Sequence, residues 1–261
     1  MREGERTVPE ETAIAFTYDR CAHAVMMGTP ADLEDFALGF SLAEGIVTGP
    51  DDISALEIVT TDLGIEIRMS VVEGRMDSYS ERRRYLAGPT GCGLCGIESL
   101  EEAMRPAAFV QATLRVAPDA ISAAMEALAQ SQLLNRESRA IHAAAFWTPD
   151  QGIVAAREDV GRHNALDKLA GALARLGIEG DGGAVLLTSR VSVEMVQKTA
   201  RLGAPVLVAV SAPTALAVRT ADAAGITLVA VARGRDFEVF THPERIEHPD
   251  RIKQGAARHV A

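Results

Sequence analysis

"GAVLLTSRVSVEMVQKTARLGAPVLVAVSAPTALAVRTADAAGITLVAVA", residues 183–232, decides the fold. Three short apolar runs, 183–189, 205–211 and 226–232, alternate with two segments of helical spacing, 192–203 and 213–225. A strand that is apolar at nearly every position has no face for water and must be covered on both sides. Such strands, separated by helices of about a dozen residues, form βαβ units in a buried, mostly parallel sheet.

The segments upstream extend this core. "NALDKLAGALARLG" (164–177) puts Leu166, Leu169, Leu173 and Leu176 on one helix face and ends at Gly177. "AIHAAAFW" (140–147) and "GIVAARED" (152–159) flank the turn "TPDQ" and read as antiparallel strands, and "DAISAAMEALAQSQLL" (119–134) reads as an amphipathic helix. The expectation is an α/β protein with a three-layer α/β/α core over residues 119–248. Residues 1–90 read as a smaller α+β lobe. It holds two strand-like runs (12–19 and 21–29), a helix from Leu33 to Gly45, and a hairpin of "ALEIVTT" and "IEIRMSVV" around "DLG". Residues 91–118 form a cysteine loop and connector, and 249–261 a polar, frayed tail.

Composition narrows the function classes. Of 261 residues, 48% are hydrophobic and 24% charged, the balance of an ordinary globular protein. No run of about eighteen apolar residues occurs, so no membrane span is expected. The N-terminal stretch lacks the apolar core of a signal peptide. Three cysteines, an odd and small number, fit a reducing cytoplasmic setting better than a disulfide scaffold. A net charge of −10 argues against a broad nucleic-acid surface, yet leaves room for a small anion held by a local basic patch.

"GPTGCGLCGIESLEEAM" (88–104) satisfies two motifs at once. Gly91, Gly93 and Gly96 spell the dinucleotide fingerprint, but no apolar strand precedes them. The helix after them, Ile97 to Met104, is cut short by Pro106, and no acidic residue closes a second strand at the right distance. The fingerprint is rejected. Cys92 and Cys95 spell C-x-x-C. A structural zinc site would need further ligands, and Cys21, His23, His142 and His163 are scattered. A thioredoxin-like pair would belong to the first βαβ unit, and an inert buried pair fits poorly among three glycines. A thiol just before a helix N-terminus has its pKa lowered, and Arg82, Arg83 and Arg84 upstream could steer an anionic partner. Such a pair suits a thiol that accepts a group at one protein and delivers it inside a pocket.

"GCGLCG", "HAAAFW…REDVGRHNALDKL", "LLTSRVSVEMVQK", "SAPTALAV" and "FEVFTHPERI" together resemble the formate dehydrogenase accessory sulfurtransferase family, FdhD. "TPADLEDFALGFSLAEGIV" extends the likeness into the N-terminal lobe. The resemblance implies a carrier that takes sulfur from a cysteine desulfurase as a persulfide. It passes that sulfur to the molybdenum bis(molybdopterin guanine dinucleotide) cofactor, a bound substrate, and formate dehydrogenase activity requires it. Cys92 matches the persulfide carrier, with Cys95 assisting or resolving. The resemblance also implies a homodimer, no permanently bound metal, and a larger lobe related in fold to cytidine deaminases. Deamination itself is not expected, since Gly91 replaces the proline of the zinc motif and no suitable His-x-Glu occurs.

Cofactor contacts are expected at three places. Thr188, Ser189 and Arg190 close a buried strand just before a helix, where ligands of open α/β sheets lie. Arg190 is the candidate phosphate or pterin contact; the alternative is a plain cap by Ser192. Asp159, Arg162 and His163 lie between a strand and a helix, Asp159 for guanine N–H groups, Arg162 for a phosphate, His163 as acid/base. Alternatively Asp159 and Arg162 pair only to fix the loop, and His163 is structural. Phe237, Glu238, Val239, Phe240, Thr241 and His242 match the family segment that contacts the guanine dinucleotide, with core packing the alternative for either phenylalanine. A non-catalytic cofactor-binding chaperone with a structural or metal-binding cysteine pair remains the other reading.

Overall fold

The structure, a computed structural model, describes residues 6–73, 106–247 and the short strand Lys253–Gln254. The boundary near residue 90, the cysteine loop, the helix expected over Ile97–Met104 and most of the tail lie outside the described residues.

A small sheet comes first. Its strands are β1 (Thr12–Tyr18), β2 (Cys21–Gly28), β3 (Ile53–Thr61) and β4 (Gly64–Val71), in the order β2-β1-β4-β3. Two hairpins, β1/β2 and the expected β3/β4, are joined by a parallel β1–β4 pair. Ile14, Phe16 and Tyr18 alternate inward with Ile67 and Met69 and meet Phe36, Ala37 and Phe40 of helix α1 (Leu33–Glu44). That helix ends, as its Gly45 predicts, in a left-handed cap with φ 68°.

The large sheet has seven strands: β5 (His142–Thr148), β6 (Gly152–Asp159), β7 (Ala184–Leu187), β8 (Val206–Ala209), β9 (Thr227–Arg233), β10 (Asp236–Val239) and β11 (Lys253–Gln254). Their order is β11-β10-β9-β8-β7-β5-β6. On one face lies α2 (Pro118–Ser131), whose Ile121 and Leu128 meet Ala143, Leu186 and Val208. On the other lie α4 (Arg162–Leu176), α5 (Val193–Arg201) and α6 (Ala215–Ala223), packed on Ala144, Phe146, Val185 and Leu207. This is the three-layer α/β/α arrangement expected.

Two details differ from expectation. The sheet is mixed rather than mostly parallel: β7, β8 and β9 run parallel, whereas β5 is antiparallel to both β6 and β7, and β10 to β9. Parallel pairing needs a long crossover, which α5 and α6 supply. Only Gly234 and Arg235 separate β9 from β10, so the chain can only turn back there. The helix expected over 119–134 breaks at Gln132 and restarts as α3 (Leu133–Ser138). The buried Glu158 carboxylate explains the restart, because it accepts the amide N–H groups of Leu134 and Asn135 at 2.8 and 2.9 Å.

The two sheets meet through α1 and α4. A Cβ on Gly39 would lie 1.7 Å from the Asp167 carbonyl oxygen, and one on Gly171 1.9 Å from that of Asp35. The helices therefore cross backbone to backbone. Beside the crossing, the buried Asp35 carboxylate receives Arg157 Nη2 at 2.6 Å and Arg175 Nη1 at 2.8 Å. Gly39→Ala and Gly171→Ala should each destabilise the protein by about 3 kcal/mol or more despite alanine's higher helix propensity. Urea unfolding measures this, and a neutral or stabilising result at either position would show that the crossing can relax.

Candidate functional site

The mixed sheet brings distant segments to one end. After β7, Thr188 donates its N–H to the Ala143 carbonyl at 3.1 Å, and its Oγ1 accepts the Ala143 N–H at 2.8 Å. Because β5 is antiparallel, its first residue, His142, lies at this end and registers with Asp159, the last residue of β6. Helices α4 and α5 begin here, at Arg162 and after Ser192. Residues 142, 159–163 and 188–194 thus line the carboxyl end of the parallel strands, beside β7 and β5, where the strand order reverses. Open α/β sheets hold their ligands at such a place.

Asp159 is fully buried and already satisfied. Its Oδ2 accepts Lys168 Nζ at 2.6 Å and the Thr29 N–H at 3.0 Å. Its Oδ1 accepts the Gly161 N–H at 2.7 Å and Asn164 Nδ2 at 2.9 Å. Lys168, equally buried, also donates to the Thr29 carbonyl at 2.8 Å and lies 5.4 Å from the centre of the Phe36 ring. With no exposed surface, Asp159 in this structure offers nothing to a guanine. It fits the alternative of a loop-fixing carboxylate, with Lys168 rather than Arg162 as its partner. Asn164, in the first turn of α4, donates to the Met27 carbonyl at 2.9 Å and to Asp159.

Arg162, His163 and Ser192 are placed differently. Arg162 Nε and Ser192 Oγ are buried polar atoms without a hydrogen-bond partner among the described residues. Ser192 therefore does not cap α5, against the simple cap reading. His163 Nε2 lies 2.6 Å from Glu194 Oε2, an ion-pair distance, although the geometry falls short of an aligned hydrogen bond. One turn further along, Lys198 Nζ lies 2.6 Å from both oxygens of Asp167. Two pairs of opposite polarity thus tie α4 to α5.

These surroundings set the protonation states. Burial pushes the Asp167 carboxyl up, with the Lys198 ammonium working against it. Burial would raise Glu194 as well, but its contact with His163, aided by Lys198 and Arg162, outweighs that and holds it low. His142 is pushed down by burial, then by Arg162 and His163, with Asp159 opposing. A neutral imidazole beside cationic groups follows at neutral pH.

The structure does not gather all the expected contacts. Thr188 is half-buried, Ser189 buried and Arg190 exposed, all at the carboxyl end. Phe237 and Glu238 lie near that end, Glu238 opposite Ala230. Since β10 runs antiparallel to β9, the later residues move away. The Phe240 N–H donates to Leu228, and Thr241 Oγ1 bridges the Leu228 N–H and the Ile226 carbonyl at 2.9 and 2.6 Å. His242 pairs with the Asp222 carbonyl at 2.8 Å and with Glu244 at 3.0 Å, at the opposite end of the sheet. Val239 is buried, Phe237 packs beneath α2, and Phe240 packs on the other face. Core packing thus accounts for part of both phenylalanines. Cys92 and Cys95 lie outside the described residues. Among the described residues, no group of three or more His, Cys, Asp or Glu side chains could hold a metal ion.

Sequence reading missed His142, Glu194, Lys168 and Thr29 as parts of this end. A usable signal existed for Glu194: it and Lys198 repeat at the same four-residue spacing as His163 and Asp167. The lowered Glu194 carboxyl stabilises the fold fully above the ordinary carboxylate range, and that share is lost as pH falls through its folded value. The stability advantage of the wild type over Glu194→Gln should therefore shrink between about pH 5 and pH 3. Urea melts across that range measure it; a gap constant down to pH 3 would contradict the assignment.

Comparison with known proteins places the chain in a family. The FdhD/NarQ family model matches residues 9–247. A protein of Agrobacterium fabrum named "Sulfur carrier protein FdhD" is 56% identical over 93% of this chain and 90% of its own. Its namesake from Cupriavidus necator is 53% identical over 92% of this chain and 84% of its own. Among solved structures, a chain from Desulfotalea psychrophila, assigned as a formate dehydrogenase accessory protein, superposes with a TM-score of 0.73 at 28% identity. That match covers 94% of this chain and 93% of the other. A family match over almost the whole chain, with relatives at more than half identity, makes the protein a member of the FdhD/NarQ family.

Proposed function

We propose that the protein is a sulfurtransferase that carries sulfur as a persulfide on Cys92. It passes this sulfur to the molybdenum bis(molybdopterin guanine dinucleotide) cofactor, a substrate bound at the carboxyl end of the large sheet, on behalf of formate dehydrogenase. The observation that carries this reading is the convergence of Arg162, His163, His142 and Arg190 with two helix N-termini in a chain whose relatives are named sulfur carriers. In a protein of net charge −10, the guanidinium groups of Arg162 and Arg190 beside two helix N-termini suit a ligand bearing several phosphates.

The side chains divide the work. Arg162 and Arg190 hold phosphate oxygens, and the unpartnered Arg162 Nε and Ser192 hydroxyl supply further donors. Thr188 and Ser189 line the strand end, with Phe237 and Glu238 at its far side. Asp159 acts from beneath by fixing the loop, while Val239, Phe240, Thr241 and His242 hold β10 in place. His163, tied to Glu194, is the group placed to accept or give a proton.

Loading requires no oxidant. The Cys92 thiolate attacks the outer sulfur of a cysteine desulfurase persulfide, the sulfur–sulfur bond there breaks, and the desulfurase thiolate leaves. Cys95 assists or resolves. The protein works in the cytoplasm as a homodimer; no helix among the described residues is long and apolar enough to cross a membrane.

Incubation with a cysteine desulfurase and cysteine, followed by intact mass spectrometry, tests the proposal. One added sulfur is expected in the wild type and none in Cys92→Ala. Full formate dehydrogenase activity retained both in cells carrying Cys92→Ala and in cells carrying Cys95→Ala would overturn sulfur transfer and leave a binding chaperone.

A further inference from the structure

The loop before α4 is held in part from the segment between β2 and α1. Between the buried Asp159 and the site residue Arg162 stand only Val160 and Gly161. The Gly161 N–H is fixed by Asp159 Oδ1 at 2.7 Å. The Val160 N–H donates at 3.1 Å to Thr29 Oγ1, in the segment between β2 and α1. Thr29 is itself buried, and all three of its polar groups serve this junction: its N–H donates to Asp159 Oδ2 at 3.0 Å and its carbonyl accepts Lys168 Nζ at 2.8 Å. Its neighbour Gly28 allows the approach, since a Cβ there would lie 3.0 Å from Asn164 Nδ2 and 3.2 Å from Asp159 Oδ2.

We propose that Thr29 is a positioning residue of the ligand site, setting through its hydroxyl the backbone that presents Arg162 and His163. The inference rests on the reading of the carboxyl end as the cofactor site. The side chains themselves supply little anchoring. Arg162 Nε has no partner among the described residues, and His163 Nε2 has only the imperfectly aligned Glu194 carboxylate. Beyond the His163–Glu194 pair, their placement depends on the backbone of Val160 and Gly161, and one of its two tethers comes from the β2–α1 segment. The N-terminal lobe, which supplies none of the expected contacts, then acts on ligand affinity through one hydroxyl.

The test uses full-length protein and GDP, the nucleotide end of the cofactor, in calorimetric titration. Thr29→Val removes the acceptor at nearly constant volume, Thr29→Ala removes it with less bulk should the valine variant fail to fold, and Thr29→Ser retains it. GDP binding should weaken about threefold to tenfold in Thr29→Val and Thr29→Ala and stay near wild type in Thr29→Ser. Persulfide loading should be unchanged in all three. A control, Met125→Ala on α2, lowers stability on the opposite face of the sheet and should leave GDP affinity intact. Unaltered binding in Thr29→Val and Thr29→Ala, or equal weakening in Thr29→Ser and the control, overturns the inference. Failure of the wild type to bind GDP overturns the cofactor-site reading and this inference with it.

Discussion

The carboxylate of Asp159 is the point on which the molecule turns. It is completely buried, ionically paired to an equally buried Lys168, and supplied by donors from the β2–α1 segment, its own loop and α4. A lone charge at that depth would be prohibitive, whereas a fully hydrogen-bonded pair is tolerable and specifies one geometry. The end of β6, the start of α4 and the segment before α1 are therefore located relative to one another by a single group. The large sheet gains a fixed carboxyl end, and the small sheet a fixed attachment.

Much of the fold could be read from residue patterns because burial leaves a direct mark on composition. Runs such as 184–187 and 206–209 are wholly apolar because helices or loops cover both faces. Alternation in 12–18 and 65–71 marks a sheet with one covered face. The direction of β5 against β7 and of β10 against β9 left no such mark. Whether β10 continues in parallel or turns back depends on the length of the link after Arg233, and the break at Gln132 depends on a carboxylate more than twenty residues away.

The site was legible only in part, for a related reason. Thr188 to Arg190 and Arg162–His163 follow from a general rule about strand ends, and the structure joins them. The segment 237–242 is contiguous in sequence but crosses the sheet from one end to the other, so contiguity overstated how much of it can meet one ligand end. Asp159 looked like a ligand contact because an acidic residue at a strand end suits that role. Its actual partners come from residues 29, 161, 164 and 168, and no local pattern reports a donor that lies 130 positions away.

The crossing of α1 and α4 has a thermodynamic consequence. At Gly39 and Gly171 the helices touch through peptide groups, with no flexible side chains between them to absorb a rotation. Two bodies joined in this way move as one, because any tilt separates or collides rigid backbone. A ligand entering at the carboxyl end finds the lobes already in their final relation. Binding at that end then carries no cost for ordering two domains against each other.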